Sequence, residues 1–403
     1  MHKDILKRLR KKLDKLNVEA YISYTPANLF YTTGYRSPLL EQSQVMMGTD
    51  MAIIPTDPAK EPALVVSDFM EDYARKSTDI KDVHTYGMWI ECRDIDIITG
   101  KTTHSTGQVR PTRPAQYNIE DLHTIIHKVL IDRGLSDATI GTDLKYIKNE
   151  TIQWLRKTNP KCTFVDVTEL LYELRMIKYP QEVDRLRKAA YLSEAGAKYA
   201  ISKIREGQSS DEIRYNYMRG VFDTVQKKPE LGKCEAAWTW ISVGSNDECR
   251  VKSGNLIKFD SGVILDGYYS DWGRTFCFSK PDKEHKKIYN ALSSAHALAR
   301  NIMKPGIQLS DIHMAATEEV RKYGLINYSR GHYGHSIGIE DHIEEPPFFS
   351  ADNNNLLTPG MVMCLETPYY SRHLGSIQIE DMIFITENGI ENLNTFSHDL
   401  LEL

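Results

Sequence analysis

Hydrophobic positions recur along this chain with two different periods. Over residues 1–16, Ile5, Leu6, Leu9, Leu13 and Leu16 fall at helical spacing with Lys and Arg between them, which predicts an amphipathic opening helix. Short apolar runs of strand length follow at 20–23, 51–54 and 63–66, separated by Pro, Asp and the turn Thr25-Pro26-Ala27-Asn28. Helical periods near 119–133 and 144–157 alternate with strand-like runs at 138–141 and 163–166. Alternation of this kind predicts an α/β domain. The stretch 93–114 is polar, has no clear period and reads as a loop.

Lys178-Tyr179-Pro180 interrupts the pattern, and the character of the chain changes after it. Helices are predicted near 182–205, 209–227, 284–303 and 310–323, with strands near 236–243, 255–265, 273–278, 361–366 and 377–386. Strands grouped among long helices suggest an α+β domain whose curved sheet is covered on one side. The chain therefore divides into two domains, 1–172 and 173–403.

Composition narrows the classes of function. The 403 residues are 41% hydrophobic and 26% charged, an ordinary globular balance. Fifty Lys and Arg against 55 Asp and Glu give a net charge of −5, so the excess positive charge that binds nucleic acid is missing. No apolar run approaches the ~18–20 residues that cross a bilayer, so no membrane partner is expected. The Lys-rich opening segment has no apolar core of signal type, and a cytoplasmic location is expected. Six scattered cysteines without a CxxC pair argue against a disulfide framework or a thiolate zinc site.

The informative positions are acidic residues embedded in apolar strands. Asp260 ends the run Leu256-Ile257-Lys258-Phe259, and Asp271 follows eleven residues later in Ser270-Asp271-Trp272-Gly273. The tight turn Leu265-Asp266-Gly267 between them brings both carboxylates to one site. Glu366 follows the apolar run 361–365, and Glu380 follows Ile377-Gln378-Ile379. His335 lies in Gly334-His335-Ser336-Ile337-Gly338. Taken singly, an Asp at a strand end is commonly a turn residue and a lone His a core or surface group. Jointly, four carboxylates beside one imidazole repel one another unless cations sit between them. Oxygen ligands with one imidazole suit Mn²⁺, Co²⁺, Fe²⁺ or Zn²⁺, and the carboxylates suffice to bridge two ions.

The segments Leu174-Arg175-Met176-Ile177-Lys178-Tyr179-Pro180, Phe259-Asp260-Ser261-Gly262, Ser270-Asp271-Trp272-Gly273-Arg274-Thr275, Gly334-His335-Ser336-Ile337-Gly338, Pro359-Gly360-Met361-Val362 and Ile379-Glu380-Asp381 carry a resemblance. Residues 175–400 resemble the catalytic domain of the methionine aminopeptidase, aminopeptidase P, prolidase and creatinase superfamily, the pita-bread fold. The first part resembles the creatinase/prolidase N-terminal domain. The resemblance implies that Asp260 chelates one metal, that Asp271 and Glu380 bridge two, and that His335 and Glu366 hold the second. It further implies that Glu366 handles the proton of the bridging water and that His342 stabilises the tetrahedral intermediate or the leaving group. The cofactor so implied is two divalent ions, Mn²⁺ favoured, with Co²⁺, Fe²⁺ or Zn²⁺ as alternatives. The activity so implied is Xaa-Pro dipeptidase- or aminopeptidase P-like hydrolysis of a small peptide or amide by a metal-bound hydroxide, in a homodimer.

Two departures bear on specificity. The loop Ser245-Asn246-Asp247-Glu248-Cys249-Arg250 lacks the histidine of proline peptidases, and Gln378 stands where many of them carry Arg. Gln378 and His332 are the candidate substrate contacts, with Arg36 an alternative source of positive charge. Weak turnover of Xaa-Pro dipeptides is expected on that basis. Two other readings stay open: a same-fold creatinase- or ectoine-hydrolase-like amidohydrolase or dimethylsulfoniopropionate lyase, and a non-catalytic binding module. His296 and His313 are expected on the surface, Trp238 and Trp240 on one face as core, and Asp381 on the strand face opposite Glu380.

Overall fold

The computed structural model describes residues 2–101, 112–245, 250–340 and 344–403. The chain separates into two compact units, Met1–Leu174 and Arg175–Leu403.

The first unit is built on a mixed six-stranded sheet. Its strands are β1 (Ala20–Ser23), β2 (Met51–Pro55), β3 (Ala63–Ser67), β4 (Asp82–Tyr86), β5 (Thr139–Thr142) and β6 (Thr163–Asp166), in the order β4-β3-β2-β1-β5-β6. The pairs β1–β5, β5–β6 and β3–β4 are parallel, and the other two are antiparallel. Strands β1, β2 and β3 are buried along their whole length, which is why they read as unbroken apolar runs. The opening helix His2–Lys15 buries Ile5, Leu9 and Leu13 completely, while Leu16, just beyond it, is exposed. Within the predicted loop at 93–114, Ile95–Ile98 forms one helical turn, and 102–111 lie outside the described residues.

The second unit carries a ten-stranded antiparallel sheet. Its strands are β7 (Cys234–Thr239), β8 (Ser242–Val243), β9 (Leu256–Leu265), β10 (Tyr268–Tyr269), β11 (Trp272–Cys277), β12 (His332–Ser336), β13 (Glu345–Ser350), β14 (Val362–Glu366), β17 (Glu380–Ile385) and β18 (Ile390–Asn392). A separate ribbon pairs β15 (Tyr369–Ser371) with β16 (Gly375–Ile377). The main path runs β10-β9-β11-β17-β14-β12-β13, with β7 and β8 on β9 and β18 on β17.

Helices Pro180–Ile201, Ser210–Lys227, Lys283–Ile302 and Leu309–Lys322 supply the covering layer. Local chemistry sets their starts. Pro180 opens the first, and Glu182 reaches back to the Tyr179 amide at 2.8 Å. Ser209 and Glu212 form a reciprocal capping box on the second. Asp282 accepts from the His285 amide on the third.

Strand alternation divides the sheet into two chemically different faces. Ile257, Phe259, Trp272 and Phe276 join the core packed with the first two helices. Tyr333, Met363, Leu365, Ile379 and Ile383 join the core packed with the other two. The residues between them point the opposite way, and these include Asp260, Glu366 and Glu380.

Three expectations about side chains need correction. His296 and His313 are buried rather than on the surface, because each ring packs under its helix beside a backbone carbonyl, Leu365 O at 3.2 Å and Arg330 O at 3.0 Å. Trp240 is 69% exposed, since it lies just beyond the end of β7, and only its ring edge meets Trp238.

Candidate metal centre

Register explains how residues far apart in sequence reach one place. Asp260 on β9 pairs with Gly273 on β11, Gly273 pairs with Glu380 on β17, and Glu380 pairs with Glu366 on β14. Directly paired residues share a sheet face, so this row brings three carboxylates to one side. Asp271 stands two residues before Gly273, on the same parity. His335 on β12 pairs with Cys364, two residues before Glu366, and so joins the same face. Gly273 sits in the middle of the row because a Cβ there would lie 2.7 Å from Gln378 Cγ.

One ligand atom from each of Asp271, His335, Cys364 and Glu380 lies within 4.8 Å of the others, and all four residues are buried. His335 Nε2 is 3.7 Å from Asp271 Oδ2 and 3.9 Å from Glu380 Oε1. His335 Nδ1 is 2.9 Å from the Ser336 carbonyl. A carbonyl only accepts, so Nδ1 carries the proton and Nε2 presents its lone pair to the carboxylates. Glu366 Oε1 accepts from Arg330 at 2.9 Å, and His332 Nδ1 lies 3.5 Å from the same oxygen. Glu380 Oε2 accepts from Gln378 Nε2 at 2.6 Å. Asp260 Oδ2 accepts from Lys258 Nζ at 2.9 Å. His342 lies outside the described residues.

The electrostatics are those of a site built for cations. Burial pushes the Asp271 carboxyl well above its usual range, and the charges of Asp260 and Glu366 push it further. Glu380 is raised by burial and then by Asp271, Glu366 and Asp260, against the Gln378 hydrogen bond. Glu366 is pushed up to about 7 by burial, with Arg330 opposing. Burial lowers His335, which favours its neutral, ligating form. Asp271 Oδ1 is buried without a hydrogen-bond partner among the described residues. An unsatisfied buried carboxylate oxygen among like charges is costly, and a divalent ion removes the cost. The donor set of hard oxygens and one imidazole therefore fits the divalent ions expected from the sequence.

Sequence reasoning did not count three members of this face. Lys258 and Arg330 bring positive charge to Asp260 and Glu366. Cys364 contributes a buried sulfur, its thiol held neutral by burial and by Asp271 and Glu380. Lys258 was legible, standing two residues before Asp260 in the same strand. Arg330 precedes β12 and carries no periodic signal. Gln378 is 2% exposed, and its amide is committed to Lys258 and Glu380. His332 is the more open of the two predicted substrate contacts, with 27% of its side chain exposed.

Behind the sheet, Asp381 points away from Glu380 and forms a buried pair with Arg274 at 2.5 Å. His398 and Asn392 also meet its other oxygen, at 2.5 and 3.0 Å. Arg274 donates at 2.7 Å to the Glu380 carbonyl, so this network braces the backbone that carries the ligand. His296, Asp381 and His398 also form a ligand-type cluster. There the guanidinium already supplies the positive charge.

Comparison with known proteins decides the family. Residues 184–387 match Metallopeptidase family M24, and residues 5–177 match the Creatinase/Prolidase N-terminal domain. The chain belongs to metallopeptidase family M24. An uncharacterized peptidase of Staphylococcus epidermidis is 26% identical over 400 residues, covering 97% of this chain and 99% of its own. Among solved structures, an Xaa-Pro dipeptidase from Bacillus anthracis superposes with a TM-score of 0.79 at 18% identity, covering 100% of both chains. A prolidase from Pyrococcus horikoshii gives 0.77 at 22% identity, covering 99% of this chain and 100% of its own. The fold is thus a creatinase-type N-terminal domain followed in sequence by a prolidase-type pita-bread domain. Membership in family M24 makes the chain a metallopeptidase that uses divalent metal ions, and the cluster of buried ligand atoms agrees with that. No helix of the described residues is long and apolar enough to cross a membrane.

Proposed function

We propose that this M24 metallopeptidase is a cytoplasmic Xaa-Pro dipeptidase-type hydrolase whose two divalent ions, Mn²⁺ by preference, are held by Asp260, Asp271, His335, Glu366 and Glu380. The observation that supports it most is the convergence of these five side chains on one sheet face, with an orphaned Asp271 oxygen among them. The substrate class follows the solved neighbours named Xaa-Pro dipeptidase and prolidase. Five free thiols and no disulfide among the described residues are compatible with a reducing compartment.

The chemistry that the ions supply when bound is activation of water and polarisation of a carbonyl. The rest falls to the chain. His335 keeps its Nδ1 proton on Ser336 and so stays oriented as a neutral base. Arg330 holds Glu366 Oε1, which leaves Oε2 to accept a proton and pass it to the leaving amine. His332 stands beside Glu366 on the open side of the site and is the proposed substrate contact. His342 keeps the role its position in the motif implies, donation to the developing oxyanion or the leaving nitrogen.

The expectation of weak Xaa-Pro turnover rests on the missing loop histidine and on Gln378 in place of an arginine. Lys258 and Arg330 bring other positive charge among the carboxylates, which supports turnover in spite of those two departures. A panel of Xaa-Pro dipeptides assayed with Mn²⁺ should give kcat/KM of about 10⁴ M⁻¹s⁻¹ or more for its best member. A panel that stays uniformly near background, with the metal bound, would contradict the substrate class.

A further inference from the structure

Lys258 is a buried ammonium, 4% exposed, on the ligand face of β9. It contacts two groups there. Its Nζ lies 2.9 Å from Asp260 Oδ2 and 3.1 Å from Gln378 Oε1. Tyr370 closes the position, its ring centroid 5.3 Å from the ammonium. Gln378 lies two residues before β17, the strand on the far side of β11, and its Nε2 donates to Glu380 Oε2 at 2.6 Å. Its orientation is fixed chemically: an ammonium only donates, so Lys258 selects the amide oxygen, and a carboxylate only accepts, so Glu380 selects the amide nitrogen. The result is one continuous relay, Asp260 to Lys258 to Gln378 to Glu380. Each end carboxylate has one oxygen bound in the relay and the other outside it.

We propose that Lys258 and Gln378 act together as the positioning pair of the metal centre. The pair ties down one oxygen of Asp260 and one of Glu380, sets the separation of these two carboxylates across Gly273, and adds one positive charge to the site. The site tolerates one cation at this place. Gln378 is then the neutral half of a matched pair: a second cation at 378 would face Lys258 across about 3 Å, where like charges repel strongly in a buried setting. The inference rests on the metal-centre reading above.

The two side chains can be exchanged. Gln378→Lys places two ammonium groups together, Lys258→Gln leaves none, and the double variant Lys258→Gln/Gln378→Lys restores one cation and one amide with the order reversed. Mn²⁺ binding to chelator-stripped full-length protein is measured by calorimetry, and unfolding temperature is measured in the same chelator without metal. Gln378→Lys should weaken Mn²⁺ at least tenfold and lower the metal-free unfolding temperature. The exchanged double variant should return Mn²⁺ affinity to within about threefold of wild type and recover the unfolding temperature. Recovery in the protein that carries both substitutions excludes a general folding defect in the singles. Should Gln378→Lys prove insoluble, recovery of soluble, Mn²⁺-binding protein in the double variant reports the same coupling. Unchanged Mn²⁺ affinity in Gln378→Lys, or a double variant no better than the worse single, overturns the pair while leaving the metal centre standing. A wild-type protein that binds no Mn²⁺ overturns both.

Discussion

Glu366 combines two duties, ligand and proton carrier, on one carboxylate whose Oε1 is already held by Arg330. Glu366→Gln keeps the shape and the Arg330 contact but removes the charge and the proton-accepting oxygen. It should lower kcat by about 10²-fold or more while the fold survives, read by steady-state kinetics beside circular dichroism. His123, far from this chemistry in sequence, gives a pH effect of its own. Its ring is fully buried against Trp154, has no hydrogen-bond partner among the described residues, and is lowered by burial to about 4. The unfolded chain takes up this proton near pH 6.5, and the folded chain only near 4. The unfolded state therefore binds more protons between these values, and stability falls as pH falls through that window. The loss is bounded at about 3 kcal/mol. His123→Phe should flatten this acid limb in urea unfolding measured from pH 7 to pH 4, and an unchanged slope would refute the assignment. At this scale the sequence was most legible where charge conflicted with context. Asp260, Glu366 and Glu380 stand out because apolar strands surround them. His296 and His313 were misplaced because helical periodicity treats His as polar, while each ring in fact sits beside a buried carbonyl.

The elements that carry the site were legible in proportion to the regularity of their pattern. Strands β9, β11, β14 and β17 and the four long helices lie close to where apolar periodicity put them. Strand β12 was hidden, because His332-Tyr333-Gly334-His335-Ser336 has a glycine and two histidines where a strand shows apolar alternation. Strand β13 was hidden because Pro346-Pro347 reads as a loop, and prolines belong on edge strands such as this one. Strand β12 also makes a very close backbone contact near the site. Gly334 has φ +122°, and a Cβ there would lie 1.9 Å from the Cys364 carbonyl oxygen. Only glycine permits this approach of β12 to β14, the approach that presents His335. Gly334→Ala should cost about 2 kcal/mol or more in chemical denaturation and weaken Mn²⁺ binding as His335 is displaced. A variant with wild-type stability and metal affinity would show that the contact does not set the position of His335.

For the whole molecule, a change in periodicity marked the division into two parts and acidic residues in apolar strands marked a metal site in the second, while its metallopeptidase character came from the resemblance of its motifs to a known family. The relay through Lys258 and Gln378 was not legible, because it depends on which strands become neighbours. Self-association belongs to this scale as well. Val45, Phe69 and Trp89 of the first unit are 73%, 48% and 41% exposed, large apolar groups left uncovered in a single chain. We propose that the protein is a homodimer, as the resemblance implies. Sedimentation equilibrium at micromolar concentration should give twice the chain mass of 46.2 kDa, and a single-chain mass would contradict it. The most direct test of the central claim is Mn²⁺ titration of chelator-stripped protein, followed by both calorimetry and dipeptide hydrolysis, in wild type and Asp271→Ala. Wild type should bind two equivalents and regain hydrolysis in step with binding, while Asp271→Ala should lose metal and activity together. Full metal occupancy in Asp271→Ala, or hydrolysis that persists in the stripped wild-type protein, would contradict it.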